Sequence, residues 1–172
     1  MKLSKFARES YTTMTEMVLP NDTNTLNNLM GGKMLHWIDI AGAIAAQKHC
    51  NNVVVTASVD NVSFQEAIKL GNIVTLNARV TRAFRSSMEV YIEVFAENIP
   101  KKEIKKTHDA FYTYVAIDEA GKPVEVPELI PETAEEKLFF ESAMKRRQVR
   151  LLLSGKLKPE EVGADFLAFF NK

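Results

Sequence analysis

Three features between Asn24 and Asp39 carry residue types that could perform chemistry at a carbonyl group. Gly31 and Gly32 open a helix-forming segment, where the first backbone N–H groups have no partner inside the helix. Glycine lets a ligand approach such N–H groups closely, and they can stabilise an oxyanion. An Asn24 amide can orient a water or a carbonyl, and an Asp39 carboxylate can deprotonate water or attack directly.

Each of these features also has an ordinary structural explanation. Glycines at the start of a helix are common turn residues. Lys33, His36 and Gln47 lie on roughly one side of the helical wheel, and Asp39 lies near the edge of that polar stripe. From these residues alone, Asp39 is either a solvated or paired carboxylate or a functional group.

The helix that must position these groups is expected from Gly31 to Cys50, with the sequence GGKMLHWIDIAGAIAAQKHC. Its middle is apolar or small except at Asp39, and such a helix belongs in a core. Asn51-Asn52 should end it, and Lys48 and His49 lie where the helix dipole favours positive charge. An unpaired buried carboxylate would cost about 3–5 kcal/mol, so Asp39 needs a partner or a polar edge.

Strand patterns flank this helix on both sides. A Thr- and Met-rich segment precedes it, β-forming residues follow it, and two segments then alternate apolar and polar residues. The expected strands are Tyr11–Leu19, Val53–Phe64, residues 74–81, residues 88–94 and His108–Asp118. The alternation places the apolar residues 74, 76, 78 and 80 and residues 88, 90, 92 and 94 on one face. A sheet with one apolar face needs a partner, and the helix is the only candidate.

The C-terminal part of the chain is expected to be helical. Pro123, Pro127 and Pro131 indicate an extended exit, and from Glu132 acidic residues come first and basic residues last, as a helix dipole favours. We therefore predict a domain over 1–131 and a helical extension over 132–172. Phe166, Phe169 and Phe170 share one face of the final segment, which we expect to pack on protein.

Composition excludes several classes of function. The 172 residues contain 22 Lys and Arg and 22 Asp and Glu, so no overall charge attracts nucleic acid or an anionic membrane. The single cysteine, Cys50, excludes an internal disulfide and fits a reducing compartment. No apolar segment resembles a secretion signal or reaches the roughly 18 residues needed to span a bilayer. We expect a cytoplasmic protein with no nucleic-acid or membrane partner.

Common catalytic and metal-binding motifs are missing. The sequence has no G-x-S-x-G elbow, no P-loop and no G-x-G-x-x-G, and Lys33 after two glycines lacks the P-loop spacing. His36, His49 and His108 lack metal-ligand spacing with each other or with Cys50. The helix C-terminus disfavours a thiolate at Cys50, which we interpret as structural. We expect no metal, no cofactor and no serine nucleophile.

The order of elements and a series of motifs resemble a known family. A strand, an Asn-rich loop, a GG-opened helix with a central Asp and four further strands resemble the hot-dog fold, an α+β fold in which an antiparallel sheet wraps a central helix. P-N-D-T-N, G-G-K-M-L-x-W-I-D-I-A-G, V-T-A-S-V-D-N-V-S-F and V-T-R-A-F-R-S-S-M-E-V are similar to the cytosolic acyl-CoA hydrolases. With D-E-A-G-K-P-V-E-V-P and L-I-P-E-T, the resemblance covers Met17 to Met144 and departs after Arg147.

The resemblance implies hydrolysis of fatty acyl-CoA to free fatty acid and CoA by a homo-oligomer. Asn24 and Asp39 match the family's two catalytic positions, and Gly32 matches the backbone donor to the thioester carbonyl. The implied CoA-binding residues form two segments. They are Ala57, Ser58 and Val59 beside the pantetheine arm, and Arg85, Ser86, Ser87 and Met88 at the phosphates.

Some alternatives remain open at this point. Arg85 to Ser87 also fit a plain polar hairpin turn, and the basic loop Lys101–Lys106 fits a solvated loop better than a nucleotide contact. A non-catalytic hot-dog protein that binds and senses acyl-CoA is the alternative function. A dehydratase ranks lower because His36 lies within the helix rather than at its start. A DNA-binding regulator would need a basic recognition helix that the sequence lacks.

Helix geometry predicts an active site shared between two chains. Gly32 and Asp39 are seven residues apart (39 − 32), which is about 10.5 Å along one helix. A reacting carbonyl must lie about 3 Å from its oxyanion donor and within reach of the attacking group. Two antiparallel helices in a two-fold dimer satisfy both requirements, with Asn24 and Gly32 from one subunit and Asp39 from the other. A trimer of such dimers is the expected assembly.

Overall fold

The structure is a computed structural model that describes residues 3–60, 62, 66–158 and 161. The chain forms two compact units, Met1–Ile130 and Pro131–Lys172. Whether the predicted extension 132–172 behaves as a separate domain stays a prediction. Phe166, Phe169 and Phe170 lie outside the described residues, so the packing predicted for them stays a prediction as well.

A five-stranded antiparallel sheet and one long helix make up most of the first unit. Its elements in chain order are β1 (Ser4–Phe6), β2 (Thr12–Met17), α1 (Gly31–Cys50), β3 (Val53–Val59), β4 (Ile73–Ala83), β5 (Ser87–Asn98), β6 (Glu103–Ile117) and β7 (Glu128–Ile130). The sheet has the order β2-β4-β5-β6-β3, and β1 and β7 form a separate parallel pair. Helix α1 contacts all five strands of the sheet, which confirms the predicted α+β arrangement.

The alternating strands form the core as predicted. The inward residues of β4 and β5 are at most 3 % exposed. They are Val74, Leu76, Ala78 and Val80 on β4 and Met88, Val90, Ile92 and Val94 on β5. Each fully buried Val, Leu, Ile or Met side chain contributes about 1.5–3 kcal/mol, so this face of the sheet is the main source of stability.

The opposite face of β5 is more buried than alternation predicts. Glu89 and Tyr91 are 0 % and 5 % exposed, although the pattern places them on the polar side. Glu89 accepts a 2.8 Å hydrogen bond from the Thr81 hydroxyl, and Lys106 Nζ lies 3.0 Å from the Tyr91 hydroxyl and 2.9 Å from Asp109 Oδ2. Cross-strand pairing therefore buries polar groups that the period-two pattern assigns to solvent.

Helix α1 is buried on one face only within a single chain. Met34, Ile38, Ala41 and Ala45 are at most 2 % exposed, as the sequence predicts for a core helix. The other face is open along a stripe that contains two large apolar residues. This stripe consists of Gly32, His36, Ile40, Ile44 and Gln47. The predicted core helix is confirmed on its inner face, and the exposed stripe contains the polar residues His36 and Gln47 together with Ile40 and Ile44.

The end of α1 confirms one prediction and corrects another. Asn51 ends the helix in the left-handed region (φ 54°), as the Asn-Asn pair predicts. His49 is 0 % exposed and its Nε2 lies 2.9 Å from the Pro127 carbonyl oxygen. Burial lowers the pKa of His49, so the positive charge expected at the helix C-terminus comes from Lys48 alone.

Two loop predictions need correction. The basic segment Lys101–Lys106 is not a loop, because β6 begins at Glu103 and only the turn before it is irregular. Lys102 takes the left-handed conformation (φ 55°) in that turn. The strand expected over Val53–Phe64 ends at Val59, and residues 61 and 63–65 lie outside the described part of the chain.

The second unit contains the predicted C-terminal helix, α2 (Ala134–Leu153). Thr133 caps its start, because the Thr133 hydroxyl accepts the Glu136 N–H at 3.1 Å and the Glu136 carboxylate accepts the Thr133 N–H at 3.0 Å. Among the described residues, no helix is both long enough and apolar enough to cross a membrane.

Candidate active site

The start of α1 offers two open backbone donors. Met30 precedes the helix and provides no side-chain cap, while its carbonyl oxygen accepts the N–H groups of Lys33 and Met34 at 3.0 Å each. Within the described residues, the N–H groups of Gly31 and Gly32 have no acceptor. A Cβ added to Gly32 would meet no atom within 4 Å. This helix start is therefore accessible to a ligand that accepts hydrogen bonds.

The Asn24 side chain presents a further donor beside the two backbone donors of the helix start. Its Oδ1 accepts the Leu26 N–H at 2.9 Å and the Asn28 N–H at 3.2 Å. Since two backbone donors define which amide atom is oxygen, the Asn24 NH₂ group points the other way. No acceptor for this group occurs among the described residues. Asn24 can therefore donate to a carbonyl oxygen or an oxyanion.

A cavity of about 380 Å³ adjoins these donors. Asn24 and Gly31 line it on one side, and His108, which is 4 % exposed, lines it on another. Burial lowers the pKa of His108, so this wall carries a neutral imidazole near pH 7. Most of the remaining lining is apolar. The apolar lining residues are Leu29, Met34, Ala67 and Ile68, and the other polar ones are Asn28 and Glu66.

The Asp39 carboxylate is half-buried and held by two hydroxyl groups. Thr56 donates to Oδ1 at 2.6 Å, and Tyr114 donates to Oδ1 at 3.3 Å and to the Asp39 carbonyl oxygen at 2.9 Å. Both donors converge on Oδ1, and no described donor reaches Oδ2. The carboxylate therefore has one oxygen fixed for orientation and one available for chemistry.

Tyr114 reaches Asp39 because Gly42 leaves room for its ring. Tyr114 is 0 % exposed, and a Cβ on Gly42 would overlap the Tyr114 hydroxyl oxygen. Burial and the nearby Asp39 carboxylate raise the pKa of Tyr114 well above its ordinary value. Tyr114 therefore stays protonated and acts only as a donor to Asp39.

Thr56 and Tyr114 were not among the residues identified from sequence. They lie on β3 and β6, which pair with each other, and Thr56 is the register partner of Tyr114. Thr56 stands in the V-T-A-S motif, which was the only local signal. The Tyr114 contact spans 75 residues of chain and depends on the register of three elements.

The two segments predicted for CoA binding lie on β3 and on the β4–β5 hairpin, with β6 between β3 and β5. A β-bulge between Thr56 and Ser58 leaves Ala57 without a register partner, and both Ala57 and Val59 are exposed. Ser87 pairs with Val115, which pairs in turn with Val55, so the β4–β5 hairpin lies two strand spacings, about 10 Å, from β3. Bulges often mark the neighbourhood of active sites.

The hairpin residues differ in what they offer a ligand. The Arg85 side chain is 88 % exposed and only loosely paired with Glu125, at 3.5 Å. Ser86 and Ser87 are partly exposed, and their contact with a ligand stays a prediction. Met88 is 0 % exposed as a whole residue and pairs with Ala83 and Tyr114 on the neighbouring strands, so it belongs to the core and offers a ligand no accessible surface within one chain.

The described site consists of two halves, one at the start of α1 and one at its middle. Asn24 and the helix start form one half, and Asp39 with Thr56 and Tyr114 forms the other. Since α1 is one continuous helix, Gly32 and Asp39 are about 10.5 Å apart along its axis. One long helix packed against a five-stranded antiparallel sheet, with open donors at the helix start and a carboxylate in its middle, is the arrangement of the hot-dog class.

Comparisons with known proteins agree with this class. Residues 26–102 match the family model of the thioesterase superfamily. An uncharacterized acyl-CoA thioester hydrolase of Bacillus subtilis (strain 168) is 40 % identical over 147 residues, which is 86 % of each chain. A hexameric acyl-CoA thioesterase crystallised without ligand is 43 % identical and superposes with a TM-score of 0.83, covering 86 % of this chain and 95 % of that one. The chain belongs to the acyl-CoA thioester hydrolases of the thioesterase superfamily.

A Staphylococcus aureus acyl-CoA hydrolase provides a third comparison. Its structure in complex with butyryl-CoA, CoA and CoA disulfide is 36 % identical to this chain, with a TM-score of 0.81 and coverage of 89 % and 95 % of the two chains. Further structures of that enzyme carry single alanine substitutions of an asparagine, an aspartate and a threonine.

Proposed function

We propose that this chain hydrolyses acyl-CoA to a carboxylic acid and CoA at a site built from two copies of the chain. The observation that carries the proposal is the pairing of open donors with an open carboxylate oxygen. Asn24 and Gly32 offer hydrogen bonds that no described residue accepts, and Asp39 keeps Oδ2 free while Thr56 holds Oδ1. These are the groups that thioester hydrolysis needs.

The spacing of the S. aureus variants supports these assignments. In that enzyme the substituted aspartate follows the asparagine by 15 positions and precedes the threonine by 17. Here Asp39 follows Asn24 by 15 positions (39 − 24) and precedes Thr56 by 17 (56 − 39). We infer that the three residues correspond and that Thr56 belongs to the catalytic machinery.

Water attacks the thioester carbonyl carbon as Asp39 Oδ2 accepts a proton, while Gly32 N–H and the Asn24 amide stabilise the oxyanion. The tetrahedral intermediate then collapses, the C–S bond breaks, and the CoA thiolate leaves with a proton returned from Asp39. In the alternative route Oδ2 attacks the carbonyl directly, and water hydrolyses the resulting anhydride. After a single turnover in H₂¹⁸O, label in the Asp39 carboxylate would identify the anhydride route, whereas label in the product alone is common to direct attack by water and to anhydride hydrolysis at the acyl carbon. In the second route, attack of water at the acyl carbon or at the Asp39 carbon decides whether the label enters the product or the protein.

Two copies are needed because the halves are too far apart in one chain. Antiparallel packing of two α1 helices places the start of one beside the middle of the other. The exposed stripe of α1, with Ile40 and Ile44 at 36 % and 39 % exposure, supports such packing. Strand β3 is an edge of the sheet and exposes Val53, Val55 and Val59, so a second β3 can pair with it.

The substrate is expected to run between these two halves. The 380 Å³ cavity beside Asn24 has a mostly apolar lining and suits the acyl group. The pantetheine arm lies along β3 at Ala57–Val59, and the phosphates meet Arg85, Ser86 and Ser87 on the hairpin.

We propose a trimer of dimers in the cytoplasm as the working form. Two structural relatives are described as hexameric, which supports the assembly. A cytosolic acyl-CoA thioester hydrolase of Rattus norvegicus is 33 % identical over 88 % of this chain, although the chain spans only 40 % of that protein's length. That similarity supports the location.

Mixing two inactive variants tests the shared site. Asn24→Ala and Asp39→Ala chains should each be nearly inactive, because removing an oxyanion donor costs about 10²–10³ in rate and removing a general base about 10²–10⁴. Co-refolded heterodimers contain one intact site and one doubly defective site, so they should recover up to half the wild-type rate. Wild-type chains refolded in the same way are the control. Verified heterodimers without activity would exclude the shared site.

Asp39→Asn separates hydrolysis from the alternative of an acyl-CoA sensor. The amide keeps the shape of the side chain and can still accept from Thr56, so the fold and CoA binding should persist while turnover falls at least about 100-fold. The readouts are thiol release from acyl-CoAs of two to eighteen carbons and CoA binding by calorimetry. A wild-type protein that binds acyl-CoA but releases no thiol would support the sensor instead.

A further inference from the structure

The Asp22 carboxylate joins three segments around the oxyanion donors. Asp22 is 7 % exposed, its Oδ2 accepts the Leu19 N–H at 3.0 Å, and its Oδ1 pairs with Lys33 Nζ at 3.1 Å. Its backbone carbonyl oxygen accepts the Met30 N–H at 2.9 Å. We call these four residues the Asp22 cluster. It ties the end of β2 to the residue before α1 and to the first turn of the helix.

Both proposed oxyanion donors lie within two residues of this cluster. Asn24 follows Asp22 by two positions, and Gly32 immediately precedes Lys33. Any movement of Asp22 relative to Lys33 therefore changes the distance between the Asn24 amide and the Gly32 N–H. An error of about 1 Å in such a distance can cost about 100-fold in rate.

The Asp22–Lys33 ion pair has no net charge that would destabilise an oxyanion at Gly32. The Asp22 and Lys33 side chains are 11 % and 36 % exposed, so solvent screens them only partly. The Leu19 N–H and Lys33 hold the pKa of Asp22 below its usual value, so the carboxylate stays charged. Lys33 neutralises this charge, which would otherwise oppose an oxyanion at Gly32. The Lys33 ammonium also lies 5.5 Å from the centre of the Trp37 ring, which restrains it further.

We propose that Asp22 is a positioning residue that, through its ion pair with Lys33 and its bonds to Leu19 and Met30, sets the geometry of the oxyanion donors. It acts on the thioester through Asn24 and Gly32 and does not touch the substrate itself. This inference rests on the proposed thioesterase site. It adds a residue that none of the catalytic or CoA-binding assignments above includes.

Asp22→Asn and Lys33→Met test the proposal directly. Each should lower kcat about 10- to 100-fold while the Kd for CoA changes less than about twofold, because the CoA contacts lie on β3 and the hairpin. The double variant should lose much less than the product of the single losses, since either change breaks the same pair. Lys33→Arg preserves the charge and should keep kcat within about threefold.

Asp109→Asn is the matched control. It breaks an ion pair of similar length, 2.9 Å to Lys106, on the outer face of the sheet. It should leave kcat at the wild-type value even where it lowers the melting temperature. If Asp22→Asn also leaves kcat unchanged, or if its kcat falls only in step with stability as in the control, the positioning role is wrong. Should Asp22→Asn fail to fold, Lys33→Met and Lys33→Arg decide the question.

Amide hydrogen exchange tests the Asp22 cluster independently of the proposed reaction. Asp22→Asn should speed exchange at Leu19 and Met30 by about tenfold or more without changing exchange in β6, the strand that carries both Asp109 and Lys106, where Asp109→Asn should act instead. Absence of turnover in the wild type would overturn the thioesterase proposal. Unchanged exchange at Leu19 and Met30 would overturn the Asp22 cluster.

Discussion

Substituting Gly42 by alanine should displace Tyr114 from Asp39. A Cβ at Gly42 would overlap the Tyr114 hydroxyl oxygen and lie 3.0 Å from ring atoms Cε2 and Cζ. Tyr114 is 0 % exposed and has no free space beside it, so its ring must shift. The hydroxyl then loses its bonds to the Asp39 carbonyl oxygen and Oδ1, now 2.9 Å and 3.3 Å.

The expected magnitudes have opposing contributions. Overpacking costs about 1–3 kcal/mol, and the lost hydrogen bonds cost about 1 kcal/mol. Replacing glycine by alanine inside a helix returns up to about 1 kcal/mol. Gly42→Ala should therefore destabilise the protein by about 1–3 kcal/mol, or roughly 2–10 °C in Tm for a chain of this size. Asp39 keeps its bond to Thr56, so kcat should fall about tenfold rather than disappear.

Tyr114→Phe provides the matched variant. Alone it removes the hydroxyl and should cost about 1 kcal/mol. Combined with Gly42→Ala, it removes the atom nearest to the new methyl group. The double variant should then be more stable than Gly42→Ala alone, a coupling of about 1–2 kcal/mol. Its kcat should stay low because the donor to Asp39 is still missing.

Urea unfolding and thiol release at one fixed protein concentration measure both effects, since assembly makes stability depend on concentration. Additive destabilisation in the double variant would contradict the predicted overlap between Gly42 and Tyr114. A wild-type kcat in Tyr114→Phe would show that Thr56 alone orients the carboxylate, and the role given to Tyr114 would be wrong.

Two further predictions concern His49 and Arg85. Because burial lowers the pKa of His49, the unfolded chain binds more protons than the folded chain below about pH 6.5, so the free energy of unfolding should fall on acidification from about pH 7. His49→Gln should reduce this dependence of the unfolding free energy on pH, measured by urea unfolding between pH 5 and 8. An unchanged dependence would contradict the prediction. Arg85→Ala should raise KM for acyl-CoA several-fold without changing kcat, because the exposed guanidinium is proposed to contact the phosphates. The KM for a pantetheine thioester that lacks the nucleotide should not change. An equal rise in KM for both substrates would exclude a phosphate contact.

Local patterns in the sequence predict the main elements correctly. The alternation in β4 and β5 identifies the residues that form the core, and the apolar segment from Gly31 to Cys50 gives α1 its observed bounds. Period and propensity act within a few residues, so they are visible in the sequence. The motifs that contain Asn24, Gly32 and Asp39 likewise indicate where chemistry could occur.

Contacts between distant elements explain what the sequence could not provide. Thr56 and Tyr114 reach Asp39 only after β3 pairs with β6 in one register, with the bulge at Ala57. A shift of one residue would turn each side chain to the other face of the sheet. Tyr91 and Glu89 are buried for a similar reason, since their neighbours come from other strands. No local pattern encodes these relations.

If the site is shared as proposed, the position of Asp39 on α1 links catalysis to assembly. Its fixed oxygen points to Thr56 and Tyr114 within the same chain, so the carboxylate is oriented before any partner arrives. Gly32 is likewise ready at the helix start, held by contacts within its own chain. Within one chain, Gly32 and Asp39 cannot act on the same thioester, because about 10.5 Å of rigid helix separates them. In the proposed dimer, association has only to bring preformed halves together, and the exposed Ile40 and Ile44 lie on the part of the helix between them.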